Sequence, residues 1–427
     1  MPPSRALRRV VPCALIAAAL WPAGAPLSAQ EASDAAEPSP IEIGQRFTIA
    51  SETLGEDRPI WIGLPDGYAD SDEPFPVIYL LDGRSHFHHT TGSVGFLSEN
   101  DRMPQAIVVG VGNISGEQRT RDMTPTPVDG EEVATNPNMA VAGGAGEFLR
   151  FLTDELRPWV DARYRTRSFD ILIGHSFGGL FITEVLNRDP STFDAYISIS
   201  PSLWWNEEAW VAGLDDLFDR HPDAAGSLYM TMGNEGGDML SGAWTFAGTL
   251  EKHAPDDFRW KWTHMPSESH GTVPHRSTYD GLEWTFDGWD PMPLVMAVIR
   301  DEKPVEPMLD GLEEHYATLS ERFGWEISPS RELLANVGGY LNGEGRRDEA
   351  MLAYERNLAW HPEAPESHGE LADILAANCR WDAARRHYGH ARDIAEAAGN
   401  ASLVEFTVER LEALEQLYRT AGACEPR

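Results

Sequence analysis

Phe169-Asp170-Ile171-Leu172-Ile173-Gly174-His175-Ser176-Phe177-Gly178-Gly179 is the stretch on which the reading of the whole chain turns. An apolar run ends in Gly-His-Ser-Phe-Gly-Gly, and an amphipathic segment with Phe181, Val185 and Leu186 on one stripe follows. This is the strand–turn–helix context of a nucleophile elbow, in which a sharp turn lifts a serine hydroxyl above the end of a sheet. The tightness of that turn predicts small residues on both sides of Ser176, hence Gly174 and Gly178. The following helix presents its positive end to the same point.

Around the elbow, apolar runs at 59–64, 75–81, 105–111, 193–199, 226–232 and 258–264 alternate with helical patterns such as Phe148, Phe151, Leu152, Leu156, Trp159 and Val160. Runs nearly continuous in Val, Ile, Leu and Tyr mark strands covered on both faces, so the expected fold is a mostly parallel α/β sheet sandwiched by helices. From Asn113 to Gly143 no periodicity appears, and that stretch reads as a long loop roofing an open cleft.

A serine hydroxyl needs a base, and the base needs an orienting carboxylate, in the chain order nucleophile, acid, histidine. After the run 226–232 come Glu235 and Asp238, and Glu235 stands nearer the strand end, with Asp238 as the alternative. After the last run comes Pro266-Ser-Glu-Ser-His270-Gly271, which makes His270 the base in preference to His253, His264 and His275. The oxyanion needs two N–H donors. One is that of Phe177, and the other that of Gly83 or Arg84 in the loop after 75–81. His86, His88 and His89 lack Asp or Cys companions at ligand spacing and read as a pocket rim, so no metal and no organic cofactor is implied.

The chain has 427 residues with 34 Lys plus Arg against 68 Asp plus Glu, a net charge of −34. Such a field repels nucleic acid and anionic bilayers and reads as solubility. Arg5, Arg8 and Arg9 precede an apolar run from Val10 to Leu20, shorter than the ~20 residues of a spanning helix, and small residues follow. Residues 1–29 are therefore a signal peptide cleaved after Ala25 or Ala29. That predicts a periplasmic or secreted protein with no membrane span after cleavage. A polar leader at 30–40, the α/β domain at 41–290 and a Pro-rich linker at 291–307 follow.

Residues 308–427 lose all strand patterning and repeat at a shift of 34. Arg346, Asp348, Ala350 and Tyr354 align with Arg380, Asp382, Ala384 and Tyr388. This pattern resembles tetratricopeptide repeats, with units at 331–364 and 365–398, a leading helix at 308–323 and a capping helix at 401–420. Two units are few, so the tail is expected to dock on the first domain. It would offer a surface for a protein partner or for self-association. Cys379 and Cys424 fall at the same edge of this arrangement and are expected to form a disulfide.

Taken together, Tyr79-Leu-Leu-Asp-Gly83, the Gly174–Gly179 elbow, Arg121-Asp-Met-Thr-Pro125, Ser200-Pro-Ser-Leu-Trp-Trp205 and His270-Gly-Thr-Val-Pro274 resemble the esterase D / enterochelin-esterase-like family of α/β-hydrolases. The resemblance implies a serine esterase with Ser176, Glu235 and His270 as its triad, exported by the N-terminal signal. It implies a bulky substrate, either a siderophore lactone or a carbohydrate-linked acyl ester, and places Arg119 and Arg121 against anionic groups of it. Trp204 and Trp205 are expected as aromatic walls. An acyltransferase using the same triad, and an interaction protein built on an inactive hydrolase scaffold, are the alternatives.

Overall fold

Strands β3 (Phe75–Leu80) and β5 (Thr166–His175) run parallel at the centre of an eight-stranded sheet. With β1 (Gln45–Ser51), β2 (Glu56–Gly63), β4 (Ile107–Val111), β6 (Ala195–Ile199), β7 (Gly226–Met232) and β8 (Phe258–His264), the order is β1-β2-β4-β3-β5-β6-β7-β8. Only β2 runs against its neighbours, pairing antiparallel with both β1 and β4. The structure is a computed structural model, and it describes residues 40–420 except 71, 129, 131, 132, 134, 135, 301 and 302. The expected signal peptide, nearly all of the leader and Cys424 lie outside the described residues.

Side chains alternate across the central strands, and both sets are buried. Val77, Tyr79, Leu172 and Tyr196 join one core with Phe148, Phe151 and Leu152 from the helix over 145–161 and with Leu180, Phe181 and Val185 from the Phe177–Arg188 helix. Ile78, Leu80, Ile171, Ile173 and Ile197 join the other with Phe87, Val94 and Leu97 of the Gly83–Glu99 helix and Leu282 of the Val273–Thr285 helix. This is an α/β-hydrolase sheet with helices on both faces. Helices alone follow it to the end of the described chain.

One strand was not foreseen, and two expectations are corrected. Strand β1 gave no signal, because its pattern of mostly exposed residues belongs to a sheet edge. The stretch read as a linker carries the Met292–Ile299 helix, with Val295 and Val298 buried. Pro291 and Pro293 stand at its cap and first turn, where a missing N–H costs nothing. The 113–143 stretch contains the Gly116–Met123 helix, whose buried residues include Thr120 and Asp122 as well as Met123. Polar residues on its inner face hide it from any hydrophobic periodicity.

The tail docks on the sheet. Leu319 and Phe323 of the Val305–Phe323 helix, with Ile327, complete the second core against Phe169 and Phe286. Beyond it, the Arg331–Gly343 and Arg347–Trp360 helices are followed by Pro365–Ala377 and Trp381–Ala397, each starting 34 residues after its counterpart. Buried Ala350 and Ala384 occupy equivalent positions where helices cross, as do Tyr354 and Tyr388. Gly345 and Cys379 both close a helix at positive φ, +77° and +62°. Cys379 is disulfide-bonded. Among the described residues, no helix is long and apolar enough to cross a membrane.

Candidate active site

Ser176 leaves β5 at φ 60°, ψ −113° and caps the Phe177–Arg188 helix. A non-glycine residue held there stores roughly 1–3 kcal/mol of backbone strain. The neighbours over-determine it. Ser176 N–H donates to the Ile199 carbonyl at 2.9 Å, and its own carbonyl accepts from Ser202 N–H at 3.1 Å and Leu180 N–H at 3.0 Å. The glycines divide differently from expectation. A Cβ on Gly174 would sit 2.3 Å from the Gly178 carbonyl oxygen, and one on Gly179 would sit 2.9 Å from Pro201 Cα. One on Gly178 would meet Leu81 at an ordinary 3.5 Å, so the space around Gly178 does not require its smallness.

Glu235 follows β7 on a loop pinned at two points. Asn234 N–H donates to the Glu268 carbonyl at 2.7 Å, and Gly233 N–H donates to Ser200 Oγ at 3.0 Å. This crossing brings Glu235 Oε1 to 2.5 Å from His270 Nδ1. Glu235 Oε2 is buried with no hydrogen-bond partner. Asp238 lies exposed in the first turn of the Asp238–His253 helix, and His270 Nδ1 pairs with Glu235 instead. His253 and His264 are exposed at the ends of a helix and of β8, and His275 rests against His89. The His270 ring packs on that of His175, with centroids 4.4 Å apart, next to Ser176. Ser176 Oγ itself is paired with Ser202 Oγ at 3.3 Å. Among the described residues, no hydrogen bond joins Ser176 Oγ to His270; such catalytic contacts often tighten only in the substrate complex.

Gly83 and Arg84 are not loop residues but the first turn of the Gly83–Glu99 helix. Amides in a first turn lack intrahelical acceptors and are available to an anion. A Cβ on Gly83 would fall 2.7 Å from the Gly110 carbonyl carbon, so the helix start can press against β4 only as glycine.

Arg119 and Arg121, on the Gly116–Met123 helix, are both engaged. Arg119 donates through Nε and Nη2 to the two oxygens of Asp82 and through Nη2 to the His175 carbonyl at 3.0 Å, and it lies over the Phe177 ring. Arg121 joins a network of Glu56, Asp122 and the fully buried Arg58. Burial there works to raise the Glu56 carboxyl, but bonds and charge from Arg121 and Arg58 hold it below its ordinary value. Trp204 is half-buried beside Phe177. Trp205 is fully buried, its indole N–H on Thr126, and the expectation that it walls the cleft is corrected, since the whole ring sits in the core.

His86 and His89 are hydrogen-bonded to each other at 3.0 Å, and His86 also packs against His175. Burial, then the charges of His270, His86 and Arg119, push His175 down to about 3. Burial, then its histidine neighbours, push His89 down to about 4. Among the described residues, no group of three or more His, Cys, Asp or Glu side chains is arranged to hold a metal ion. Sequence reasoning missed Asp82, His175 and Ser202 as members of this site, although all three lie inside motifs already singled out.

A family profile described as "Putative esterase" matches residues 51–270. The chain is 34% identical over 194 residues to a protein named siderophore enterobactin esterase from Emericella nidulans, covering 40% of this chain and 63% of that one. It is 36% identical over 149 residues to ferri-bacillibactin esterase BesA of Bacillus subtilis, covering 31% and 50%. The chain thus spans less than two thirds of either relative's length. Among solved structures, an IroE-like serine hydrolase from Shewanella oneidensis superposes with a TM-score of 0.62 at 29% identity, covering 74% of this chain and 99% of that one.

Proposed function

The chain belongs to the esterase family, and from that premise we propose that it is an exported serine carboxylic-ester hydrolase acting on siderophore esters through an acyl-enzyme. The observation that carries this is the 2.5 Å Glu235–His270 pair, whose imidazole packs on His175, the residue before the strained Ser176. Ser176 Oγ attacks the ester carbonyl carbon while His270 takes its proton. Glu235, on Nδ1, fixes the tautomer and stabilises the imidazolium. The N–H groups of Phe177 and of Gly83 or Arg84 receive the developing oxyanion. His270 returns the proton to the departing alkoxide, and water then cleaves the acyl-enzyme by the same steps in reverse order.

The names of the relatives support a siderophore ester over a glycan ester. Arg119, with the ring of Phe177 under it and Trp204 beside that, gives the cleft a cationic and aromatic wall suited to an anionic aromatic acyl group. Export rests on the N-terminal sequence alone. The 34-residue offset of the tail helices supports a tetratricopeptide-like repeat. In the test, Ser176→Ala abolishes hydrolysis of p-nitrophenyl butyrate and labelling by a fluorophosphonate. Wild-type turnover by that variant overturns the assignment.

A further inference from the structure

Three segments distant in sequence meet around the Asp82–Arg119 pair. It follows β3 with its backbone in the left-handed region, φ 52° and ψ 40°. Its carboxylate accepts from Arg119 Nε at 2.7 Å and Nη2 at 2.8 Å, and from Asn113 Nδ2 at 2.8 Å. The same Arg119 Nη2 reaches the His175 carbonyl at 3.0 Å. That carbonyl belongs to the peptide that enters Ser176. One guanidinium therefore ties the residue before Gly83 to the residue before Ser176, and so links the two segments that carry the oxyanion donors. The pair is well shielded, with side chains 26% and 11% exposed. A bidentate fork is directional as well as strong, so it fixes orientation and not only distance.

We infer that Asp82 and Arg119 form a positioning brace that sets the separation of the Phe177 and Gly83 or Arg84 amides in the oxyanion hole. The inference rests on the assignment of Ser176 as nucleophile. A donor displaced by about 1 Å loses much of its effect on the transition state while ground-state binding is little changed. Asp82 is the informative position. Asparagine tolerates the left-handed backbone and keeps the shape, yet loses the charge and one acceptor oxygen.

The test compares Asp82→Asn, Arg119→Lys and the double variant on p-nitrophenyl acetate, whose acyl group is neutral and too small to reach a substrate-binding arginine. Each single variant should lower kcat roughly 10- to 100-fold with KM changed less than about twofold. The double variant should lose no more than the worse single one, because both remove one device. Inhibition by phenylboronic acid, a tetrahedral mimic, should weaken by the same factor as kcat. Melting temperatures identify a variant that fails to fold, in which case the other single variant carries the test.

Full kcat in a folded Asp82→Asn protein overturns the brace. So does a folded Arg119→Lys protein that keeps wild-type kcat on p-nitrophenyl acetate, since the guanidinium fork is then not needed to place the donors. Ser176→Ala, run alongside, keeps the two questions apart. Activity there removes the nucleophile assignment itself, whereas an inactive Ser176→Ala with a fully active Asp82→Asn removes only the brace.

Discussion

At the scale of single residues, the elbow shows how little room a sharp turn leaves and where it leaves some. Gly174 and Gly178 look equivalent in the motif, but their surroundings differ by more than an ångström of clearance. Gly174→Ala is expected to destabilise the fold by about 3 kcal/mol, the upper range for overpacking. Gly178→Ala, in the first turn of a helix, should stay within about 0.5 kcal/mol of wild type. Urea unfolding of the two variants checks both numbers. The acid is the other choice made at this scale. Glu235→Gln should lower kcat on a p-nitrophenyl ester by roughly 10³- to 10⁴-fold, as expected where the orienting carboxylate is lost. Asp238→Asn should leave it within about twofold.

At the scale of elements, polar contacts of Arg119 with Asp82 and with the His175 carbonyl tie the start of the Gly83–Glu99 helix, the Gly116–Met123 helix and the end of β5. That is why the second of these elements escaped a search for periodicity, its Asp122 being buried against Arg58. The histidines between the Gly83–Glu99 helix and the elbow make a measurable pH signature. Folded His175 and His89 resist protonation until about 3 and 4, whereas a free imidazole takes a proton near 6.5. Below that pH the unfolded chain binds more protons, so stability falls as pH falls, by up to ~1.4 kcal/mol per unit for each group. Between pH 7.5 and 5.0, urea unfolding should show wild type losing about 2–4 kcal/mol more than the His89→Gln, His175→Asn double variant. Asp170, raised by burial to about 7, titrates in both proteins and cancels in the comparison.

At the scale of the molecule, the helical tail completes the hydrolase core. Phe323 packs with Phe169, Phe286, Trp289 and Trp325. Phe323→Ala should cost roughly 3–5 kcal/mol, and unfolding should remain a single transition seen alike by tryptophan fluorescence and far-ultraviolet circular dichroism. Two separate transitions would show that the tail and the sheet unfold independently.

The amino-acid order alone determined the buried strands and the elbow, because near-continuous apolar runs and a Gly-His-Ser-Phe-Gly-Gly turn are local signals. It also placed the candidate acid and base in order along the chain. The tertiary structure decided which carboxylate meets His270, since that depends on Asn234 crossing to the Glu268 carbonyl. It decided equally that Trp205 is core and that Arg119 is joined to Asp82. Local periodicity reports which face of an element is apolar, but a polar contact between residues 37 positions apart leaves no mark on the pattern of either segment. Only the folded chain brings such groups within bonding distance.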